Sequence, residues 1–251
     1  MTTAIAIYLL LIGLICGSFF NVVGLRVPKK QSLLYPPSTC GSCGTRLRKR
    51  DLVPVFSYLF ARGRCRHCKK QVSLLYPLGE SATGLLFMLM YIRIGLSLEL
   101  VAALLFVSLC IIVTVSDLVY MLIPNNVLLA FLPLVLIVRL FQHGEPLWHY
   151  GLGALLGGGI LLLVHIVSRG QMGLGDVKLF ALFGLIIGFK SIIVALLLAC
   201  LAGTLIGGLL MLIRRVRRKQ AIPFGPFLAL GSLIAYCYGD AIIDWYLNVL
   251  T

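Results

Sequence analysis

The chain has 251 residues, of which 60% are hydrophobic, and its mean hydropathy is +1.04. Apolar runs recur along nearly the whole length, which excludes a soluble globular domain and predicts a polytopic membrane protein. Twenty-two Lys and Arg residues stand against eight Asp and Glu, giving a formal charge of +14. In a membrane protein such an excess reflects topology rather than binding of nucleic acid, so we expect no direct nucleic acid partner.

Windows of about 17 to 22 apolar residues predict an all-α protein with eight transmembrane helices. The first has no basic region before its apolar stretch, so we expect a retained span with an outward N-terminus rather than a cleaved signal. The predicted domains are the first helix (1–25), a cytoplasmic loop domain (26–78) and a seven-helix membrane domain (79–251). The helices are placed at residues 4–25, 79–95, 98–116, 125–142, 150–168, 174–189, 191–213 and 225–247.

Basic residues test this topology, because Lys and Arg are enriched on the cytoplasmic side of membrane proteins. Nineteen fall in alternate segments that we place in the cytoplasm: twelve in residues 26–78, then Arg169 and Lys178, then five in the run Arg214–Lys219. The opposite side holds three, which are Arg93, Arg139 and Lys190. The bias places the long first loop in the cytoplasm.

Four cysteines of that loop form two CxxC pairs, Cys40 with Cys43 and Cys65 with Cys68. Each CxxC turn brings two soft ligands together, so two such turns can close one tetrahedral zinc site. Two disulfides are the competing interpretation, although a cytoplasmic loop faces a reducing compartment. His67, inside the second pair, could replace one cysteine as a ligand.

Zinc bound by four thiolates has no open coordination position for water, so we expect a structural metal rather than a catalytic one. A loop of about fifty residues is too short to build much of a core, and the metal would stabilise it instead. The chain has no HExxH motif and its four His residues are scattered. We expect His165 to be a hydrogen-bonded packing residue rather than a base.

Carboxylates inside or beside a membrane are costly and are therefore functional candidates. Asp117 ends the third predicted helix in "TVSDLVYMLIPNN", and Asp176 begins the sixth in "GLGDVKLF". The predicted topology places both at the cytoplasmic face, whereas Asp240 and Asp244 lie toward the outer face. Asp117 and Asp176 can therefore meet, although each could instead serve only as a helix cap or loop residue.

Two carboxylates a few ångströms apart share one proton, so the ionised group can activate water while the other polarises a carbonyl. This is the chemistry of aspartic proteases. Gly173 and Gly175 lack side chains and would let an extended substrate backbone approach Asp176, and Lys178 is a further candidate contact. The positive end of a helix dipole favours an ionised carboxylate and the negative end favours a protonated one. Because Asp176 begins a helix and Asp117 ends one, we predict that Asp176 is ionised and that Asp117 carries the shared proton.

Several stretches in one order resemble the type IV prepilin peptidases, a family of GxGD membrane aspartyl proteases. "GSFFNVVGLRVP" resembles the first-span signature of that family, and the double CxxC loop followed by "YPLGE" resembles its cytoplasmic zinc region. "SDLVYMLIPNN" and "GLGDVKLFALFG" resemble its two aspartate motifs, and "PFGPFLALGS" resembles the start of its last helix. The compact form is similar to the late-competence enzymes of Gram-positive bacteria.

The resemblance implies that Asp117 and Asp176 are the catalytic pair and that the zinc ligands are Cys40, Cys43, Cys65 and Cys68. It implies a multi-pass protein of the bacterial cytoplasmic membrane, in contact with lipid, with prepilins or pseudopilins as substrates. Cleavage would follow the glycine that ends a short basic leader. Many members also methylate the new N-terminus with S-adenosylmethionine, but no residue of this chain reveals a methyl-donor site.

A proton-coupled membrane transporter could hold two carboxylates in the same way, with a zinc-stabilised loop that serves a partner. The predicted helices show no clear repeat in two halves, which many transporters have. A cleavage assay with a prepilin fragment discriminates the two functions.

Overall fold

A computed structural model describes residues 2–142, 144–213 and 222–250. Regular structure in these ranges is helical, with two isolated β-bridges and no strand, which confirms the all-α prediction. The chain divides into two compact units, residues 1–96 and 97–251, which are described separately below. The predicted boundaries after residues 25 and 78 stay predictions, and the basic run Arg214–Lys219 lies outside the described residues.

The first unit contains α1 (Thr2–Arg26), the short α2 (Phe56–Phe60) and α3 (Leu75–Ile94). Helices α1 and α3 pack closely because α1 presents glycines to α3. A Cβ on Gly13 would lie 2.7 Å from Cα of Gly84, and a Cβ on Gly17 would lie 2.8 Å from Cα of Glu80. The backbones therefore touch, as is typical of membrane helices that associate through small residues.

The second unit contains α4 (Leu98–Tyr120), α5 (Asn125–Phe141), α6 (Leu147–Val167), α7 (Leu174–Leu212) and α8 (Gly225–Leu250). Helix α4 forms the core, since its residues are largely buried and it contacts both α5 and α8. Phe106 of α4 meets Phe183 of α7 edge to face, with ring centroids 5.1 Å apart. Helix α7 packs between α6 and α8.

Six of the described helices are long and apolar enough to cross a membrane: α1, α3, α4, α6, α7 and α8. Helix α5 is apolar but has only 17 residues. The chain is therefore a multi-pass membrane protein, as predicted. The eight predicted spans correspond to these six helices together with the shorter α5, because α7 covers two of them.

Helix α7 has 39 residues and is interrupted at Gly188, where the backbone adopts φ 79° and ψ 174°. An uninterrupted helix of this length would extend about 58 Å, well beyond a hydrocarbon core of about 30 Å. The ring of His149 occupies the place where a Cβ of residue 188 would lie, so only glycine fits there. The two spans predicted at 174–189 and 191–213 are joined at this break without a loop.

The three basic residues assigned to outer loops lie within helices, and Arg139 is almost completely buried in α5. Its guanidinium pairs with both carboxylate oxygens of Glu99, at 2.6 and 3.1 Å, and donates to the carbonyl of Ile186. The hydroxyl of Tyr236 donates to the same carboxylate at 2.5 Å. Arg139 thus links α4, α5, α7 and α8, and its charge is neutralised rather than exposed as a topology signal.

Candidate active site and metal centre

Asp117 lies in the last turn of α4 and is only 6% exposed. The helix ends three residues later at Tyr120, because Met121 adopts a left-handed conformation and its N–H caps the carbonyl of Asp117. The backbone N–H of Gly225, the first residue of α8, donates to Oδ2 of Asp117 at 2.8 Å. A Cβ on Gly225 would also lie 2.8 Å from this oxygen, so the close approach requires glycine.

Asp176 lies in the first turn of α7, which begins after Gly173. Its Oδ1 is buried and has no hydrogen-bond partner among the described residues. The carboxylate of Asp117 acts on it electrostatically, so the two groups lie near one another at the same end of the second unit. The structure thus brings together the two aspartates that the sequence singled out.

The short segment between α4, which carries Asp117, and α5 packs against the start of α7, which carries Asp176. A Cβ on Gly175 would lie 3.0 Å from Cβ of Ile123, so the start of α7 packs directly on this segment. Lys178 donates to Oδ1 of Asn125 at 3.1 Å. Helices α5 and α7 are therefore tied together beside the aspartates.

The three residues predicted to meet substrate have different surroundings. Gly173 is exposed, and a Cβ there would lie 3.1 Å from Oδ2 of Asp176. A Cβ on half-buried Gly175 would lie 3.0 Å from Cβ of Ile123, so the missing side chain permits this packing. The exposed Lys178 is directed to Asn125. Of the three, only Gly173 combines exposure with a position beside an aspartate.

His165, near the end of α6, holds the loop that precedes Asp176. Its Nδ1 lies 2.6 Å from the carbonyl oxygen of Met172. Gly170 in the same loop has φ 81°, a conformation that favours glycine. The hydrogen bond predicted for His165 is confirmed.

Asp240 and Asp244 lie in the second half of α8 and are exposed. Asp240 acts electrostatically on His149, which packs at the Gly188 break. They do not join the pair formed by Asp117 and Asp176.

The four cysteines of the loop form a single cluster in the first unit. The Sγ atoms of Cys40, Cys43, Cys65 and Cys68 all lie within 4.8 Å of one another. Those of Cys40 and Cys68 are 3.8 Å apart. Tetrahedral zinc with Zn–S bonds of about 2.3 Å places its sulfurs roughly 3.8 Å apart. The 3.8 Å separation fits one zinc ion, and all four cysteines are free thiols rather than disulfides.

Both CxxC turns use the same backbone design. The N–H of Cys40 bonds to the carbonyl of Thr45 at 2.9 Å, and the N–H of Cys65 bonds to that of Lys70 at 2.8 Å. An isolated β-bridge closes each turn, Thr39 with Arg46 and Arg64 with Gln71. Two similar knuckles therefore present their thiols to one point, and His67 is not part of the cluster.

Hydrogen bonds lower the pKa of three of the four thiols and so favour their thiolate forms. Backbone N–H groups within each CxxC turn lower the pKa of Cys40 and Cys65, and Thr45 lowers the pKa of Cys43. A backbone N–H also acts on Cys68, but burial and the neighbouring thiols outweigh it and raise its pKa to about 11. A bound cation would favour the thiolate there as well.

Sequence reasoning underestimated a buried polar cluster between α1 and α3. Glu80 is buried and its Oε2 accepts the N–H of Val55 at 2.7 Å. The fully buried Asn21 donates to the carbonyl of Tyr76 at 3.0 Å. Neither residue was among the site residues predicted from the sequence. An amide within a 25-residue apolar helix was the available signal.

Comparison with known proteins places these residues in a family. Residues 11–94 match the bacterial peptidase A24 N-terminal domain, and residues 104–208 match the type IV leader peptidase family. The chain is 41% identical to the prepilin leader peptidase/N-methyltransferase of Bacillus subtilis (strain 168), over 96% of this chain and 97% of that protein. It is 34% identical to the protein of the same description from Pseudomonas putida, over 92% and 90%. No solved structure matches the chain.

The first matched segment contains the four clustered cysteines, and the second contains Asp117 and Asp176. Identity of 41% extends over nearly the full length of both proteins compared. The chain therefore belongs to the type IV leader peptidase family.

Proposed function

We propose that this chain is a prepilin leader peptidase, an aspartic endopeptidase that removes the basic leader of type IV prepilins or pseudopilins after a glycine. The proposal is supported by the positions of Asp117 in the last turn of α4 and Asp176 in the first turn of α7, where the Asp117 carboxylate acts electrostatically on Asp176. The descriptions of the relatives support the class of substrate. The excess of basic residues in the predicted cytoplasmic segments supports cleavage at the cytoplasmic membrane face.

Asp117 and Asp176 act as a pair in this proposal. The ionised carboxylate takes a proton from water, and the resulting hydroxide attacks the carbonyl carbon of the leader glycine, whose bond to the next nitrogen then breaks. The protonated carboxyl polarises the carbonyl and then supplies the proton for the leaving amine. Gly173 lies exposed beside Asp176 and is where we place the extended substrate backbone.

The hydrogen bonds of the two aspartates favour an ionised Asp117 and a protonated Asp176, which is the opposite of what the helix dipoles predict. A carboxylate that accepts a backbone N–H is stabilised in its charged form, and Asp117 accepts such a bond from Gly225. Oδ1 of Asp176 is buried and has no partner among the described residues. We therefore assign the water-activating charge to Asp117 and the shared proton to Asp176.

Infrared absorption of protonated carboxyl groups near neutral pH tests this assignment. The pair titrates as a unit, so single variants are compared. We expect the acid band to persist in Asp117→Asn and to vanish in Asp176→Asn. The double variant serves as the control, because it retains the bands of every other carboxyl group. A band that persists only in Asp176→Asn would restore the assignment from helix ends.

Zinc has a structural role in this proposal. Cys40, Cys43, Cys65 and Cys68 would hold the ion, and four thiolates leave no position for a reacting water. The metal would fix the loop between α1 and α3.

The relatives are also described as N-methyltransferases. Transfer of a methyl group from S-adenosylmethionine to the new N-terminal amine is a separate proposal, to which we assign no residue.

The decisive experiment uses the purified chain in lipid vesicles with a peptide that carries a basic leader, a glycine and an apolar helix. We expect release of the leader, detected by mass spectrometry as one cut after the glycine. A peptide with that glycine replaced by valine should remain intact. Absence of cleavage, together with proton-driven uptake of a solute by the same vesicles, would identify a transporter instead.

A further inference from the structure

The loop of the first unit contains a basic cavity that the peptidase mechanism does not use and that adjoins the metal site, since Cys65 lines it. Its volume is about 500 Å³, within the range of ligand sites. The charged side chains that line it are all cations, namely Arg62, Arg64, Arg66 and Lys69. Asp51 pairs with Arg66 at 3.2 Å. Among the described residues, no carboxylate pairs with the other three cations.

An exposed apolar face borders this cavity. Phe56, Leu59 and Phe60 of α2 lie at the spacing of one helix face, and they are 50%, 62% and 81% exposed. Phe60 also lines the cavity. Aromatic and aliphatic side chains beside unpaired arginines are typical of segments that lie in the interface of a membrane.

The loop cannot leave the surface of the bilayer. It begins at the end of α1 and ends at the start of α3, and these two membrane helices pack against each other. Residues 26–78 carry twelve Lys and Arg and only one acidic residue. Such a segment is attracted to acidic lipids of the adjacent leaflet.

The charge of the cavity excludes the basic leader of the proposed substrate as its occupant. An anionic group with an apolar body attached matches both the cations and the adjoining face of α2. We propose that Phe56, Leu59, Phe60, Arg62, Arg64 and Lys69 form a docking surface for the acidic phospholipid headgroups of the membrane that α1 and α3 span. The headgroup phosphate binds in the cavity, while α2 rests on the acyl chain boundary.

The test uses the full zinc-loaded chain in neutral detergent, titrated with short-chain phosphatidylglycerol and followed by hydrogen exchange of residues 56–70. We expect saturable protection of this segment, and none with short-chain phosphatidylcholine. Each basic residue near a membrane contributes about fivefold in affinity. The variant Arg62→Gln/Arg64→Gln/Lys69→Gln should therefore bind on the order of a hundredfold more weakly.

A matched variant, Arg46→Gln/Arg48→Gln/Arg50→Gln, removes the same charge from exposed positions outside the cavity. We expect it to retain most of the affinity, whereas Phe56→Ser/Phe60→Ser should weaken lipid binding. Zinc content per chain verifies that each variant is folded. Equal weakening by both triple variants, or no protection at all, would overturn the proposal. Equal protection by inorganic phosphate would show a soluble-anion site and would also overturn it.

Discussion

We expect Asp117→Asn and Asp176→Asn each to abolish leader cleavage while leaving the protein inserted in the membrane. Asparagine keeps the size of aspartate but can neither activate water nor donate a carboxyl proton. Loss of one positioned acid or base lowers rates by about a hundredfold to ten-thousandfold. Because neither remaining carboxyl can perform both steps, we expect each variant to lie near the upper limit of this loss. The measurement is the rate of leader release per mole of purified chain.

The double variant separates a paired mechanism from two independent contributions. If Asp117 and Asp176 act as a unit, it should be no slower than either single variant. Asp244→Asn is the matched control, since Asp244 is an exposed aspartate of α8 outside the pair. A folded single variant that cleaves at nearly the original rate would remove that aspartate from the mechanism.

The second large effect is expected from loss of the metal. We predict one zinc per chain, and replacement of Cys40 or Cys68 by serine should lower the zinc content and the stability of the loop together. Binding of structural zinc supplies on the order of 10 kcal/mol to small domains that depend on it. A loop of about fifty residues has too small a core to offset such a loss. The measurements are metal analysis of the purified chain and hydrogen exchange of residues 27–74.

Cys200→Ser is the control for the metal experiment, since Cys200 is exposed on α7 outside the cysteine cluster. It should keep the zinc content and the exchange pattern of the unmodified chain. Purified protein without bound zinc, or a Cys40 variant that retains one ion per chain, would contradict the assignment of the four ligands. If zinc is structural, the metal-free chain should lose protection throughout the loop while α4 remains protected.

Local patterns were sufficient for much of the fold and for the choice of candidate residues. Apolar windows predicted the helices because a membrane span must be long and satisfy its own backbone hydrogen bonds. The CxxC spacing predicted one four-cysteine cluster because each turn presents two thiols on the same side. Asp117 and Asp176 stood out because a carboxylate in an apolar chain is costly. The charge bias then placed both at the same membrane face.

Contacts between distant segments could not be read from these patterns. The hydrogen bond from Gly225 to Asp117 joins residues 108 positions apart, and our proposed proton arrangement rests on it rather than on helix ends. From the sequence, Arg139 was assigned to the outer side of the membrane. In the structure its guanidinium pairs with Glu99 inside the second unit. Gly175 was predicted to let substrate approach, and the structure adds that its missing side chain lets Ile123 pack against the start of α7. The sequence by itself determined which residues carry unusual chemistry, because composition and spacing are local properties. Only the tertiary structure decided which partners these residues meet, because packing brings together side chains from helices far apart in the chain.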